Sequence, residues 1–103
     1  MTKTQRQQKY NTTHACEFGA KLLRSSTSNA GGRRVGYRLC EQCRAAGQYF
    51  TISVTSATEH TARTVECDRR TACRLYESIL RGGATPITLT YIIDDWEAAR
   101  RDA

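Results

Sequence analysis

The sequence has no long hydrophobic run and no sign of an export signal. No apolar stretch approaches the ~18 residues that a membrane-spanning helix needs, so we expect no membrane partner. Residues 1–11 are polar and basic, unlike the hydrophobic segment of a secretory signal. These two absences predict a soluble, cytoplasmic protein.

Residues that carry catalytic chemistry are also scarce. The phosphate-loop, dinucleotide and nucleophile-elbow motifs do not occur, and the only histidines are His14 and His60, each in a polar segment. The neighbouring carboxylates Asp94 and Asp95 point about 100° apart if they lie on a helix, so they do not converge on one ion. The sequence therefore predicts no enzymatic activity and no cofactor.

The cysteine count is odd, which fits a closed disulfide framework poorly. In a reducing cytosol we expect these side chains to act mostly as small hydrophobic thiols. One alternative is a zinc tetrahedron, because Cys40 and Cys43 form a C-x-x-C pair and two further thiolates could complete it. A redox pair is a second alternative, but that site normally lies at a helix N-terminus. The zinc ligands would be Cys40, Cys43, Cys67 and Cys73.

The 103 residues are enough for one domain with a modest core. Residues 1–13 are polar and basic with little to bury, which predicts a mobile tail before a single domain over residues 14–103. Within that domain, residues 14–24 alternate as a strand does, although a short helix is also compatible. Residues 25–32 are polar and end in Gly-Gly, which predicts a loop.

Three further segments have the period-two alternation of strands. They are residues 33–42, 49–55 and 61–67. In the first of these, Val35, Tyr37 and Leu39 are expected to face the core. Short connections favour pairing of sequential strands, so the pattern predicts an antiparallel meander of three to four strands.

Two amphipathic helices are expected to follow. Asp68 is a good N-cap for the first helix, and Gly82 and Gly83 would end it. Thr85 and Pro86 suit the start of the second helix. The predicted fold class is α+β, with both C-terminal helices packed on one face of the sheet. The expected core comprises Phe50, Ile52, Val54, Leu75, Ile79, Leu89, Ile92 and Trp96.

Three segments together resemble a family of short proteins of unknown function found mainly in Clostridia. They are YFTISV at residues 49–54, TVE at residues 64–66, and ATPITLTYIIDDW at residues 84–96, with a helix between the last two. The resemblance extends over about residues 35–96. It implies a shared fold and no catalytic residues, and the cysteines do not belong to the family's pattern.

Arginine dominates the charge of the chain. The net charge is +6, and thirteen of the sixteen basic residues are arginine. The planar guanidinium suits phosphate and carboxylate groups, so this bias favours an anionic partner. Several arginines surround the expected start of the first helix, where backbone N–H groups also favour anions. The predicted anion-binding residues are Arg38, Arg63, Arg69, Arg70 and Arg74.

The sequence thus predicts a non-enzymatic, stoichiometric binding protein. Its anionic partner would be nucleic acid, a nucleotide signal or a protein that handles nucleic acid. By analogy of size and chemistry, the chain resembles phage inhibitors of bacterial defence, such as CRISPR inhibitors and nucleotide sponges. The alternatives are a protein-interaction module that forms a homo-oligomer, pairing through a sheet edge, and the small zinc-binding module described above.

Overall fold

The computed structural model describes residues 20–30, 32–42, 44 and 46–101. In this part of the chain, four strands precede two helices, so the predicted α+β class is confirmed. The strands are β1 (Lys21–Ala30), β2 (Arg33–Gln42), β3 (Tyr49–Thr55) and β4 (His60–Glu66). The helices are α1 (Arg69–Arg81) and α2 (Pro86–Arg101). The predicted tail, residues 1–13, lies outside the described residues.

The four strands form an antiparallel meander in the order β1-β2-β3-β4. Both helices pack on one face of it, α1 against β2 and β3, and α2 against β3 and β4. The opposite face, which we call the open face, is not covered by either helix. Because side chains alternate along a strand, Gly36, Arg38, Thr51, Thr55 and Thr64 all belong to this open face.

The core lies between the sheet and the two helices. Alternation of β2 buries Val35, Tyr37 and Leu39, as predicted. Two tyrosine hydroxyls are buried in this core, and each donates a hydrogen bond to a backbone carbonyl. Tyr37 Oη donates to Ala84 O at 2.7 Å, and Tyr76 Oη donates to Tyr37 O at 3.3 Å. Burial raises the pKa of both phenols. The predicted core residues all belong to this cluster, with Ile92 and Trp96 packed at its edge.

The ends of the helices follow the predicted capping chemistry. Asp68 accepts a hydrogen bond from Thr71 N at 2.7 Å, which satisfies one of the free donors at the start of α1. The helix ends at Arg81, and Gly83 takes a positive φ of 65°, which favours glycine. Pro86 is the first residue of α2, where its missing N–H has no consequence.

The prediction was wrong for the first part of the sheet. Residues 25–30 were expected in a loop, but β1 runs from Lys21 to Ala30. Its serines and threonines pair in register with β2 through backbone hydrogen bonds, which do not depend on apolar side chains. The predicted strand over residues 14–24 is described only from residue 20 onward. The last strand also differs by one residue, since β4 ends at Glu66 and leaves Cys67 outside it.

We expect the Asp68 cap to make stability depend on pH. Its hydrogen bonds with Thr71 lower the pKa of the Asp68 carboxyl from the ordinary 3.8. The stabilisation is therefore fully present above pH 3.8 and is lost as the pH falls through the lower folded-state pKa. Asp68→Asn keeps a capping oxygen but cannot titrate. Thermal melts from neutral to acid pH should show the difference in stability between parent and variant change as the parent's carboxyl is protonated.

The matched control for this prediction is Asp95→Asn, on the exposed side of α2. It should leave the shape of the pH profile unchanged relative to the parent. A constant difference between Asp68→Asn and the parent across the acid range would contradict the assigned role of the carboxylate.

Candidate anion-binding surface

The exposed side of α1 consists almost entirely of arginine. Amphipathic spacing turns the apolar residues of the helix to the core, which leaves five residues exposed. Four of these are arginines and the fifth is Ser78. We call this surface the α1 arginine face; its members are Arg69, Arg70, Arg74 and Arg81.

The four arginines differ in how far their charge is already neutralised. Arg69 Nη2 lies 2.6 Å from Glu41 Oε1 of β2, in a charged hydrogen bond. Arg81 and Glu77 are at most weakly paired, with 4.0 Å between their charged atoms. Arg70 and Arg74 form no ion pair with any residue that the structure describes. These two side chains are the ones left available to a partner.

Beyond the Asp68 cap, the charge at the start of α1 is basic, which is unusual for a helix N-terminus. No acidic residue occupies its first turn, which instead begins with two arginines. Positive side chains oppose the helix dipole at this end, so the arrangement weakens the isolated helix. Arg70 and Arg74, one turn apart, also repel each other slightly. An anion bound over this turn would offset both the unfavourable interaction with the helix dipole and the repulsion between the two arginines.

A further arginine extends the basic surface beyond the helix. Arg24 of β1 is exposed, and its Nη2 lies 3.9 Å from Cys73 Sγ on α1. The contact places a guanidinium beside the helix turn that carries Arg74. Arg24 was not among the predicted site residues, because its segment could not be aligned with α1 from the sequence.

Arg63, another of the predicted site residues, is separate from the α1 arginine face. It lies on the helix-covered face of β4, where its Nη2 is 2.9 Å from Asp94 Oδ1 and 3.3 Å from Glu97 Oε1. Its Nη1 also donates to Thr90 O at 3.3 Å. The guanidinium thus holds α2 against the sheet, and its charge is already matched by two carboxylates.

Arg38 is also separate from the helix surface. It is exposed between the buried residues Tyr37 and Leu39, so it projects from the open face of the sheet. The structure therefore brings Arg69, Arg70 and Arg74 together on α1. It places Arg38 on the other side of the sheet and Arg63 beneath α2.

A second group of charged residues lies where α2 ends beside β4. Arg100 stacks over the Trp96 ring with 4.6 Å between the guanidinium carbon and the ring centre. A cavity of about 320 Å³ is lined there by Glu66, Trp96, Glu97, Arg100 and Arg101. Its acidic and basic groups balance one another, so it is less suited to an anion than the α1 arginine face.

The cysteines that the structure describes, Cys40, Cys67 and Cys73, do not form the cluster that the zinc alternative requires. Cys40 is disulfide-bonded, which corrects the expectation of reduced thiols at that position, whereas Cys67 and Cys73 are free. Cys43 lies outside the described residues. Within the described part of the chain, no three His, Cys, Asp or Glu side chains cluster as a metal site would need. Burial, partly offset by Arg100, raises the pKa of the Cys67 thiol, which favours its protonated form.

The described helices include none that is long and apolar enough to cross a membrane. Residence in the cytoplasm stays a prediction. No family model, curated protein or solved structure matches the chain in the three comparisons made. The resemblance over residues 35–96 therefore stays a prediction as well, and the site has to be interpreted from its own geometry.

Proposed function

We propose that the chain is a non-enzymatic binding protein for a phosphate-rich anionic partner, which it contacts through the α1 arginine face. The observation that carries this proposal is the composition of the exposed side of α1, where four of five exposed residues are arginine. A helix that only needed solubility could use either sign of charge, and acidic residues in its first turn would stabilise it. An anionic partner that binds this surface explains the presence of four arginines better than solubility does.

The spacing of the unpaired arginines supports a polymer of phosphates as the partner. Arg70 and Arg74 are one turn apart, about 6 Å along the helix axis. Each guanidinium can bind two oxygens of one phosphate, so the pair can contact neighbouring groups of a nucleic-acid backbone. Arg24 continues the same surface toward β1. A stoichiometric inhibitor of a nucleic-acid-handling defence system is the more specific form of this proposal.

The test is a double charge reversal, Arg70→Glu with Arg74→Glu. We expect at least a tenfold loss of affinity, roughly 1.4 kcal/mol or more, because two phosphate contacts are replaced by repulsion. Fluorescence anisotropy with a labelled single-stranded oligonucleotide and its duplex measures the affinity over a series of salt concentrations. Removing phosphate contacts should also make the dependence on salt less steep. Melting temperature shows that the variant is folded.

The matched control is Arg33→Glu with Arg34→Glu, which changes the net charge by the same amount. Both side chains are exposed at the start of β2, whereas Glu41, the partner of Arg69, lies near the other end of this strand. Charge at that distance is screened, so the control should lose only two- to threefold in affinity, on the order of 0.5 kcal/mol. Equal losses in both double variants would mean that only overall charge matters, and would remove α1 from the proposal.

One observation favours a protein-interaction module as the second candidate. Ile87 and Tyr91 are 60% and 66% exposed and lie one turn apart on α2, on the side away from the core. Exposed large apolar groups at this spacing suit association with another protein or a second copy of the chain. Salt separates the two candidates, because apolar association hardly responds to it while phosphate binding weakens steeply.

A further inference from the structure

The open face of the sheet contains a small cavity that the α1 arginine face does not explain. Its volume is about 190 Å³, and its lining includes Ser25, Thr27, Gly36, Arg38 and Thr55. The three strands β1, β2 and β3 contribute to it. In one row across them, Gly36 pairs with Thr27 on one side and with Thr55 on the other. Ser25 and Arg38 pair in the next row on the same face.

Glycine at position 36 has no structural explanation within the sheet. Gly36 is not among the glycines with a positive φ, so its backbone conformation is open to any residue. A Cβ atom built there would meet only Thr55 O, at the ordinary contact distance of 3.8 Å. Glycine also weakens the interior of a strand, where it often marks a place that a ligand approaches. Because Gly36 has no side chain, the floor of the cavity at this position is formed by backbone atoms alone.

The polar groups around this floor are available for hydrogen bonding. The hydroxyls of Ser25 and Thr27 and the guanidinium of Arg38 have no side-chain partner among the described residues. Three other side chains on the open face, at the far end of β2 and β3 and on β4, are hydrogen-bonded to one another. Gln42 donates to Thr51 at 2.7 Å, and Thr51 and Thr64 share a hydrogen bond of 2.8 Å. The cavity thus differs from this hydrogen-bonded part of the open face.

The hydroxyls and the guanidinium that line the cavity favour a ligand with several oxygen acceptors. Hydroxyls donate to oxygen, and a guanidinium offers two parallel donors to one phosphate. No carboxylate is among the described residues that line the cavity. Thr55 has its hydroxyl 2.7 Å from His60 Nδ1, which holds the side chain in place at the rim. We propose that this cavity binds a single phosphate group, over Gly36 and against Arg38.

This inference does not rest on the function proposed for α1, because the two surfaces lie on opposite sides of the sheet. The phosphate could belong to a free nucleotide or to a nucleic-acid strand lying across the open face. The one aromatic residue among the described lining is Tyr37, and its side chain is fully buried in the core. The cavity therefore offers no exposed ring for a base to stack on, and its residues are suited to the phosphate.

The test uses the full chain and follows the backbone amides of Thr27 and Thr55 by NMR. Three probes are titrated separately: inorganic phosphate, a nucleoside 5′-monophosphate and a single-stranded oligonucleotide. We expect saturable shifts at these two amides in the parent. Gly36→Val fills the floor with a side chain that strands favour, so it should weaken binding at least tenfold while the melting temperature stays equal or rises. Arg38→Gln should weaken binding several-fold.

The matched control is Arg34→Gln, since Arg34 is exposed on the same strand and the same face but does not line the cavity. It should change the affinity less than twofold. Arg70→Glu with Arg74→Glu should leave the phosphate shifts at Thr27 and Thr55 intact, even where it abolishes binding by α1. Tighter binding of the monophosphate assigns a terminal phosphate, and tighter binding of the oligonucleotide assigns a backbone phosphate; both support the site. Unchanged affinity in Gly36→Val, or no saturable shift with any probe, would overturn it.

Discussion

Replacing Ile52 with alanine is expected to lower the free energy of unfolding by about 2–5 kcal/mol, since it removes a buried branched side chain and leaves a cavity. Ile52 is fully buried in the central part of β3, paired with Leu39 on one side and with Arg63 on the other. A domain of this size has a total stability of roughly 5–15 kcal/mol, so the loss is a large fraction of it. Urea unfolding followed by circular dichroism measures the change.

The chain provides a matched control in Ile87→Ala. The same atoms are removed there, but Ile87 is 60% exposed on α2 and little apolar area is lost from the core. We expect a change within about 0.5 kcal/mol, as for most surface substitutions. Equal stability of Ile52→Ala and Ile87→Ala would show that the assigned core is wrong.

The helices and the central strand were predictable because each buries one apolar side against the core. That burial determines both the spacing of the apolar residues in the sequence and the orientation of the element. In α1, the four residues at helical spacing, Ala72, Leu75, Tyr76 and Ile79, are the four that are buried. In β3, strict alternation of apolar and polar residues matches a strand with one face on the core. Where a segment buries a continuous apolar side, its periodicity shows which side that is.

The first strand was missed because its stability comes from a neighbour and not from its own side chains. The polar run SSTSN in β1 has the composition of a loop. Serine and threonine are also compatible with a strand whose side chains are partly solvated, and pairing with β2 supplies the backbone hydrogen bonds. A polar strand of this kind is visible only when its partner is known.

In the candidate site, the exposure of the helix arginines could be predicted from the local sequence, whereas the ion pairs of Arg63 could not. The exposure of Arg70 and Arg74 follows from their positions on the helix, and it was predictable. The pairing of Arg63 depends on carboxylates 31 and 34 residues further along the chain, which no local pattern contains. One signal was present, since Arg63 lies two residues before the buried Val65 and so shares its face.

The second large effect concerns this same arginine. Arg63→Glu is expected to destabilise the fold, because it removes the cation between Asp94 and Glu97 and adds a third carboxylate. The hydrogen bond to Thr90 O is lost as well. We expect a loss of about 1–3 kcal/mol in the free energy of unfolding, below the roughly 3–5 kcal/mol for a broken buried pair, because the Arg63 side chain is 26% exposed and that of Asp94 is 58% exposed.

Two further variants separate a structural role of Arg63 from a role in binding. Arg38→Glu makes the same charge change on the open face of the sheet and should leave the stability within about 0.5 kcal/mol of the parent. Arg63→Glu combined with Asp94→Arg restores a cation between two carboxylates, and should recover part of the lost stability. If Arg63→Glu melts like the parent yet binds the oligonucleotide more weakly, Arg63 belongs to an anion-binding surface instead of the α2 contact. Loss of stability with partial recovery in the double variant places it in the fold.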